Sequence, residues 1–180
     1  MIKNNIRRES YLKFLNTWKN RDLIKVLSGV RRSGKSTLLA MFQQDLKEQG
    51  VQDENIIAIN FEYMEFEELT DYRKLHDYVL SKVDKNKKNY VFLDEIQHVQ
   101  NFEKVVDSLY IRDYIDLYIT GSNAFFLSGE LATLLTGRYI EQHVLPLSFQ
   151  EFKQWHTENN PTIQQLSNRD LYAMYTRSSF

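Results

Sequence analysis

Gly29-Val30-Arg31-Arg32-Ser33-Gly34-Lys35-Ser36-Thr37 fits the pattern G-x-x-x-x-G-K-[ST], that of a loop cradling phosphate groups. Leu23-Ile24-Lys25-Val26-Leu27 precedes it, a short apolar segment rich in β-formers. Leu38, Leu39, Phe42 and Leu46 follow at helical spacing. The motif therefore lies between a strand and a helix, as its chemistry requires. Gly29 and Gly34 permit a curl that a Cβ would hinder. The amides this frees form an anion nest, strengthened by the positive end of the following helix. Lys35 brings a point charge to the β- and γ-phosphates, and Ser36 offers a hydroxyl to Mg²⁺. All nine residues, including Val30, Ser33 and Thr37, are candidate nucleotide contacts. Arg31 and Arg32 either touch phosphate or a partner, or are solvated loop arginines.

The second acidic element of such a site is Tyr90-Val91-Phe92-Leu93-Asp94-Glu95, an apolar strand ending in two carboxylates. This is the Walker B pattern. Asp94 is placed to hold Mg²⁺, directly or through water. Glu95 is placed to orient and deprotonate an attacking water. Another strand, Ile115 to Thr120, ends in Gly121-Ser122-Asn123. Ser122 and Asn123 either face the γ-phosphate or belong to an ordinary strand-to-helix turn. Arg138, after Gly137, either meets transferring phosphoryl charge, in its own chain or from a neighbouring subunit, or forms a surface ion pair.

Composition narrows the class. The chain has 180 residues, 42% hydrophobic and 26% charged, with a net charge of −1 and no cysteine. That is the profile of a soluble domain with a sizeable core. Bulk charge favours neither nucleic acid nor membrane. Disulfides and thiolate zinc sites are excluded. His76, His98, His143 and His156 form no H-x-x-x-H pair and read as surface or packing residues. No signal peptide is visible and no segment approaches the ~18 apolar residues of a membrane span. The expected setting is cytoplasmic.

Strand and helix patterns alternate along the chain. Helices are expected near 7–19, from Lys35 to about Gly50, over 69–80, from Phe102 to Leu109, and as short pieces over 124–136. Strands are expected at Ile56–Phe61, at Tyr90–Leu93, at Ile115–Thr120 and from Tyr139 to Leu147. Lys82, Lys85, Lys87 and Lys88 mark a polar turn. Alternation of this kind predicts a parallel sheet covered on both faces. Residues 1–147 read as one nucleotide-binding unit with an N-terminal helix. Residues 148–180 read as the start of a helical lid or C-terminal region. In them Ser148-x-x-Glu151 and Ser167-x-x-Asp170 open helices, and Asn159-Asn160-Pro161 separates the two.

Together these pieces resemble the bacterial and archaeal P-loop ATPases of the AAA-like type, whose AAA_14 domain usually precedes a DUF4143 domain. The resemblance rests on residues 29–37, Phe92-Leu-Asp-Glu-Ile-Gln97, Thr120-Gly-Ser-Asn-Ala124, Thr136-Gly-Arg138 and Leu145-Pro-Leu-Ser-Phe-Gln-Glu-Phe152. It implies a three-layer α/β/α P-loop fold with a five-stranded parallel sheet of 5-1-4-3-2 type. It also implies nucleotide and metal roles for Lys35, Ser36, Asp94 and Glu95, and strengthens Ser122 and Arg138. Family members usually continue well past this point, so the chain reads as a fragment or shortened copy.

A guanine-reading Asn/Thr-Lys-x-Asp motif has only a misplaced counterpart in Ser81-Lys82-Val83-Asp84, so adenine is the expected base. Tyr11, Leu12 or Trp18 either flank it or pack in the core. The expected activity is Mg²⁺-dependent ATP hydrolysis. A nucleotide-dependent switch or partner-binding module is the alternative, and a kinase the least favoured. Expected partners are a second copy of the chain, or a nucleic acid or protein engaged through the C-terminal region.

Overall fold

A computed structural model describes residues 6–122, 135, 137–159 and 166–177. The helical pieces expected over 124–136, apart from Leu135, lie outside the described residues, as do Asn123, Asn160 and Pro161. Five strands form one sheet: β1 Ile24–Ser28, β2 Ile56–Asn60, β3 Asn89–Asp94, β4 Ile115–Gly121 and β5 Tyr139–His143. All pairings are parallel, in the order β2-β3-β4-β1-β5. This is the expected 5-1-4-3-2 arrangement, with helices on both faces. The described helices are α1 Glu9–Trp18, α2 Lys35–Glu48, α3 Tyr72–Lys82, α4 Phe102–Tyr110, α5 Phe149–Asn159 and α6 Asn168–Arg177.

The burial pattern follows from strand position. Every residue of β1, β3 and β4 is buried, whereas β2 and β5 alternate or stay half-exposed at the edges. Successive side chains feed opposite faces. Val26, Val91, Leu93, Leu117 and Ile119 pack with Leu75, Val79, Val105 and Leu109 of α3 and α4. Leu27, Phe92 and Tyr118 pack with Leu12, Leu15, Leu38 and Phe42 of α1 and α2. On that second face Phe92 stacks on Tyr118 at 4.8 Å.

Two boundaries differ from the sequence reading. α3 starts at Tyr72 because Asp71 caps it, accepting from the amides of Arg73 and Lys74. A 3₁₀ stretch, Met64–Thr70, precedes it. β5 stops at His143 rather than Leu147. Its partner β1 ends at Ser28, paired with His143, where the chain turns into the Gly29 loop. The Val144 amide still donates to the Ser28 carbonyl at 2.7 Å, and Pro146 has no N–H to continue a ladder.

At the sheet end remote from the loop, Lys25 and Asp116 form an ion pair within the α1/α2 face, both out of solvent. Asp116 also accepts from the Asn20 amide at 2.9 Å and the Tyr118 hydroxyl at 2.8 Å. Burial pulls the Lys25 ammonium below the ordinary lysine range, against the opposing pull of Asp116. Removing one partner strands the other charge. Asp116→Ala is expected to cost about 3–5 kcal/mol, read from urea unfolding; a loss below about 1 kcal/mol contradicts this account.

Candidate functional site

The loop after β1 is shaped by three backbone angles and one close approach. Gly29, Arg32 and Gly34 have φ of 151°, 64° and 95°, in the region where glycine is least hindered. A Cβ on Gly29 would stand 2.3 Å from the Val144 carbonyl oxygen, so only glycine lets the β5 exit cross there. Gly34 caps α2, whose first residue is Lys35. Lys35 is 3% exposed. Its ammonium donates to the carbonyls of Gly29 at 3.1 Å and Val30 at 3.3 Å, and lies 3.3 Å from Glu95 Oε1.

Facing it is the tip of β3. Asp94 is 6% exposed. Its carboxylate accepts from the Thr120 hydroxyl and from Asn60 Nδ2 at 2.9 Å, and the Ser36 side chain is among the neighbours that favour its charge. Burial raises the Asp94 carboxyl above its ordinary range, and neighbouring Glu95 adds to this. The Thr120 hydroxyl, the Ser36 side chain and the charge of Lys35 pull the other way without cancelling it. Glu95 follows with φ of 58°. Its amide donates to Thr120 Oγ1 at 2.9 Å, and its carboxylate accepts from Gln97 Nε2 at 2.5 Å. Thr120 thus holds both acidic residues from the strand between β1 and β3. Ser36 and Asp94 together offer a hydroxyl and a carboxylate, hard oxygen donors suited to a small divalent cation that keeps water and ligand oxygens. No group of three or more His, Cys, Asp or Glu able to hold a metal exists among the described residues.

Three adjoining cavities run across the loop. The first, about 430 Å³, is bounded by Ile6 and Arg8, by Arg32, Ser33, Gly34, Thr37 and Leu38 of the loop and α2, and by Leu147, Phe152, Trp155 and His156. The second, about 280 Å³, lies over Arg31, Arg32 and Gly34 to Thr37 and reaches Glu62 and Glu95. The third, about 450 Å³, extends past Lys35 and Glu95 to Gln97, His98 and Ser122. Shared walls, Arg32, Gly34 and Thr37 at one junction and Lys35 and Glu95 at the other, make them one trough. One end is aromatic, the middle is backbone and cation, and the far end is acidic. Within the aromatic end His156 packs on Phe152 at 4.3 Å and Trp155 at 4.6 Å, and its Nδ1 is buried with no hydrogen-bond partner.

The structure brings together the nine loop residues, Asp94, Glu95 and Ser122. Asn123 lies outside the described residues. Arg31 projects outward and pairs with Glu62 at 3.2 Å. For Arg138 the reading of a role in its own chain is corrected, and what the structure has is the alternative, an ion pair. The residue sits before β5, its carbonyl accepting from the Ile24 amide at the start of β1, and its guanidinium is 2.8 Å from Asp107. Since Ile24 pairs with Tyr139 and Ser28 with His143, Arg138 stands a strand length, roughly 13 Å, from the loop. It does not serve the site of its own chain. The suggested base neighbours also move: Leu12 is core, Tyr11 stacks under Arg8 at 4.4 Å, and neither they nor Trp18 line the trough. Asn60, Thr120, Gln97, Arg8, Phe152, Trp155 and His156 were missed as site residues. Only the polar ends of β2 and β4 signalled any of them.

Comparison with known proteins adds the following. The AAA_14 family model, described as an AAA domain, matches residues 21–153. An uncharacterised protein of Haemophilus influenzae is 44% identical over 178 residues, 98% of this chain and 44% of that protein. An uncharacterised protein of Methanocaldococcus jannaschii is 38% identical over 141 residues, 76% of this chain and 29% of that protein. The chain thus spans less than half the length of these curated relatives. Among solved structures, Aeropyrum pernix ORC1 in complex with DNA superposes with a TM-score of 0.61 at 11% identity, covering 89% of this chain and 51% of that one. Caenorhabditis elegans PCH-2 gives 0.58 at 17% identity, covering 87% and 46%. At those identities the likeness is one of fold.

The raised Asp94 carboxyl has a sign for stability. A group held above its unfolded pKa favours folding only while protonated, and that contribution is lost as pH rises through the folded value. Ionised Asp94 therefore burdens the fold at neutral pH. Asp94→Asn is expected to raise the melting temperature in chelator-treated buffer, by about 2–4 °C for each kcal/mol relieved. The gain should shrink as pH falls toward the ordinary carboxylate range. A lower melting temperature than the parent at neutral pH would contradict this.

Proposed function

The chain belongs to the AAA domain family, and we propose that it binds ATP with Mg²⁺ and hydrolyses it to ADP and phosphate. The observation that carries this reading is the trough, with an aromatic pocket roomy enough for a base, the glycine loop with one buried lysine, and Glu95 beyond it beside the buried Asp94. The order matches that of base, phosphates and attacking water along a nucleotide.

In this reading the adenine lies between the N-terminal segment and α5, against Phe152 and Trp155. A turn of the His156 ring, whose Nδ1 is buried and unpartnered between Phe152 and Trp155, brings that nitrogen to a polar edge of the base. The loop amides and Lys35 hold the β- and γ-phosphates, the lysine exchanging Glu95 and two carbonyls for phosphate oxygens. Ser36 and Asp94 hold Mg²⁺, which when bound neutralises charge on the phosphates. Glu95, fixed by Thr120 and Gln97, accepts the proton of the attacking water. Ser122, with Asn123 beside it in sequence, faces the γ end. Residues 1–147 act as the nucleotide unit and 148–180 as its helical cover. Self-association, and a nucleic acid or protein client engaged through the region the relatives carry beyond the match, belong to the same proposal. So does a following DUF4143 domain.

A second reading draws on the Lys35–Glu95 contact. Glu95 is held by lysine as well as Gln97, which suits a switch that binds ATP and turns it over slowly. Kinetics separate the two, since rapid multiple turnover excludes the switch.

Lys35→Ala is expected to abolish ATP binding by calorimetry. Glu95→Gln should bind ATP as the parent does and lose about a hundredfold or more of turnover; parental turnover by this variant removes Glu95 from the mechanism. His156→Leu should weaken ATP about tenfold and narrow its preference over GTP. An unchanged ATP-to-GTP ratio would place the base elsewhere.

A further inference from the structure

Arg8 is the one arginine drawn almost wholly inside, at 8% exposure, and although it borders the aromatic cavity it has been given no role toward the nucleotide. Its neighbour Arg7 turns the other way, binding Asp45 of α2 through two nitrogens at 2.8 Å each. The Arg8 fork reaches three other segments. Nε donates to Glu151 Oε1 of α5 at 2.7 Å. One terminal nitrogen donates to the Leu145 carbonyl at 2.8 Å and to the Ser33 carbonyl of the loop at 3.2 Å. The guanidinium stacks on Tyr11, whose hydroxyl accepts from the Leu145 amide at 3.3 Å. Glu151 is in turn the capping-box residue of α5, accepting from the Ser148 amide at 2.7 Å. One rigid, permanently charged group therefore joins the first helix, the phosphate loop and the start of α5.

The contact with Ser33 has a geometric consequence. In a planar trans peptide the carbonyl of one residue and the amide of the next point opposite ways. Fixing the Ser33 carbonyl toward Arg8 turns the Gly34 N–H away from it. We propose that Arg8 is a positioning residue that couples the seating of α5 to the set of the phosphate loop, so that each stabilises the other. The coupling rests on the nucleotide-site reading above only where it concerns ATP. Its structural half concerns the loop itself. A lysine cannot replace the fork, since it offers one nitrogen where three directions are held. By reciprocity, loosening α5 weakens the loop as much as loosening the loop weakens α5.

The test compares the full chain with Arg8→Lys and with Glu151→Gln, a milder change outside the trough. Amide hydrogen exchange is followed first without nucleotide. Both variants are expected to exchange about tenfold faster at the Ser33 amide, which is bonded to the Val30 carbonyl at 3.2 Å, as well as in α5. ATP and ADP dissociation constants should rise together by a similar factor in both variants, kcat at saturation should stay within about twofold in Glu151→Gln, and combining the changes should add little. Faster exchange confined to α5, with the Ser33 amide unchanged in both variants, would reduce Arg8 to a tether and overturn the proposal. If the parent chain binds no nucleotide, the ATP reading fails, and the exchange at the Ser33 amide still decides the coupling.

Discussion

The site is built around a carboxylate kept from water. Asp94, at the tip of a strand buried along its whole length, must have its charge answered by whatever surrounds it, because an uncompensated buried carboxylate costs several kcal/mol. Strand order supplies the answer. With β4 inserted between β3 and β1, Thr120 reaches Asp94 from one side and Asn60 of β2 from the other. A sheet that placed β3 directly beside β1 would remove the Thr120 bridge and with it the support for Glu95. The upward push that remains on the Asp94 carboxyl comes chiefly from burial.

Much of this was legible in the chain because it depends on local rules. A glycine pattern between a β-forming run and a helical run fixes the loop. Solid apolar strands ending in Asp94 and in Thr120 announce strand tips at one edge. The Ser148 and Ser167 capping boxes formed as spaced, each serine oxygen accepting from the amide three residues on. What failed was the joining of two local readings. Arg138 follows a glycine and reads like a phosphoryl-sensing arginine, but the expected parallel strand starting at Tyr139 already puts the residue before it at the end opposite the loop, which rules out a role in its own chain.

The aromatic end was illegible for another reason. Ile6, Arg8, Phe152 and His156 come from opposite ends of the domain and meet only when α1 and α5 pack around the same loop. In sequence, Phe152 and Trp155 are simply the apolar stripe of a helix, and His156 is a lone histidine. Tyr11 looked at least as good a neighbour for a base until Arg8 was seen to occupy its face. The buried Lys25–Asp116 pair was equally silent, since a lysine inside an apolar strand is visible but its partner on β4 is 91 residues away.

The two ends of the trough therefore rest on different supports. The phosphate end is made of strand tips and a helix start, held by sheet hydrogen bonds and a core that extends under them. The aromatic end is made of one face of α5 and a short N-terminal segment, joined to the loop through a few polar contacts centred on Arg8 and Glu151. Burial pushes the Glu151 carboxyl upward, but the Ser148 amide and the Arg8 guanidinium outweigh it and hold the group below the ordinary range. The pairing is thus already present near neutrality and is lost only when pH falls through that lowered value. The cradle thus rests on the sheet and its core, while the aromatic wall rests on α5 and the N-terminal segment, and Arg8 is the group that touches both, through the Ser33 carbonyl on one side and Glu151 on the other.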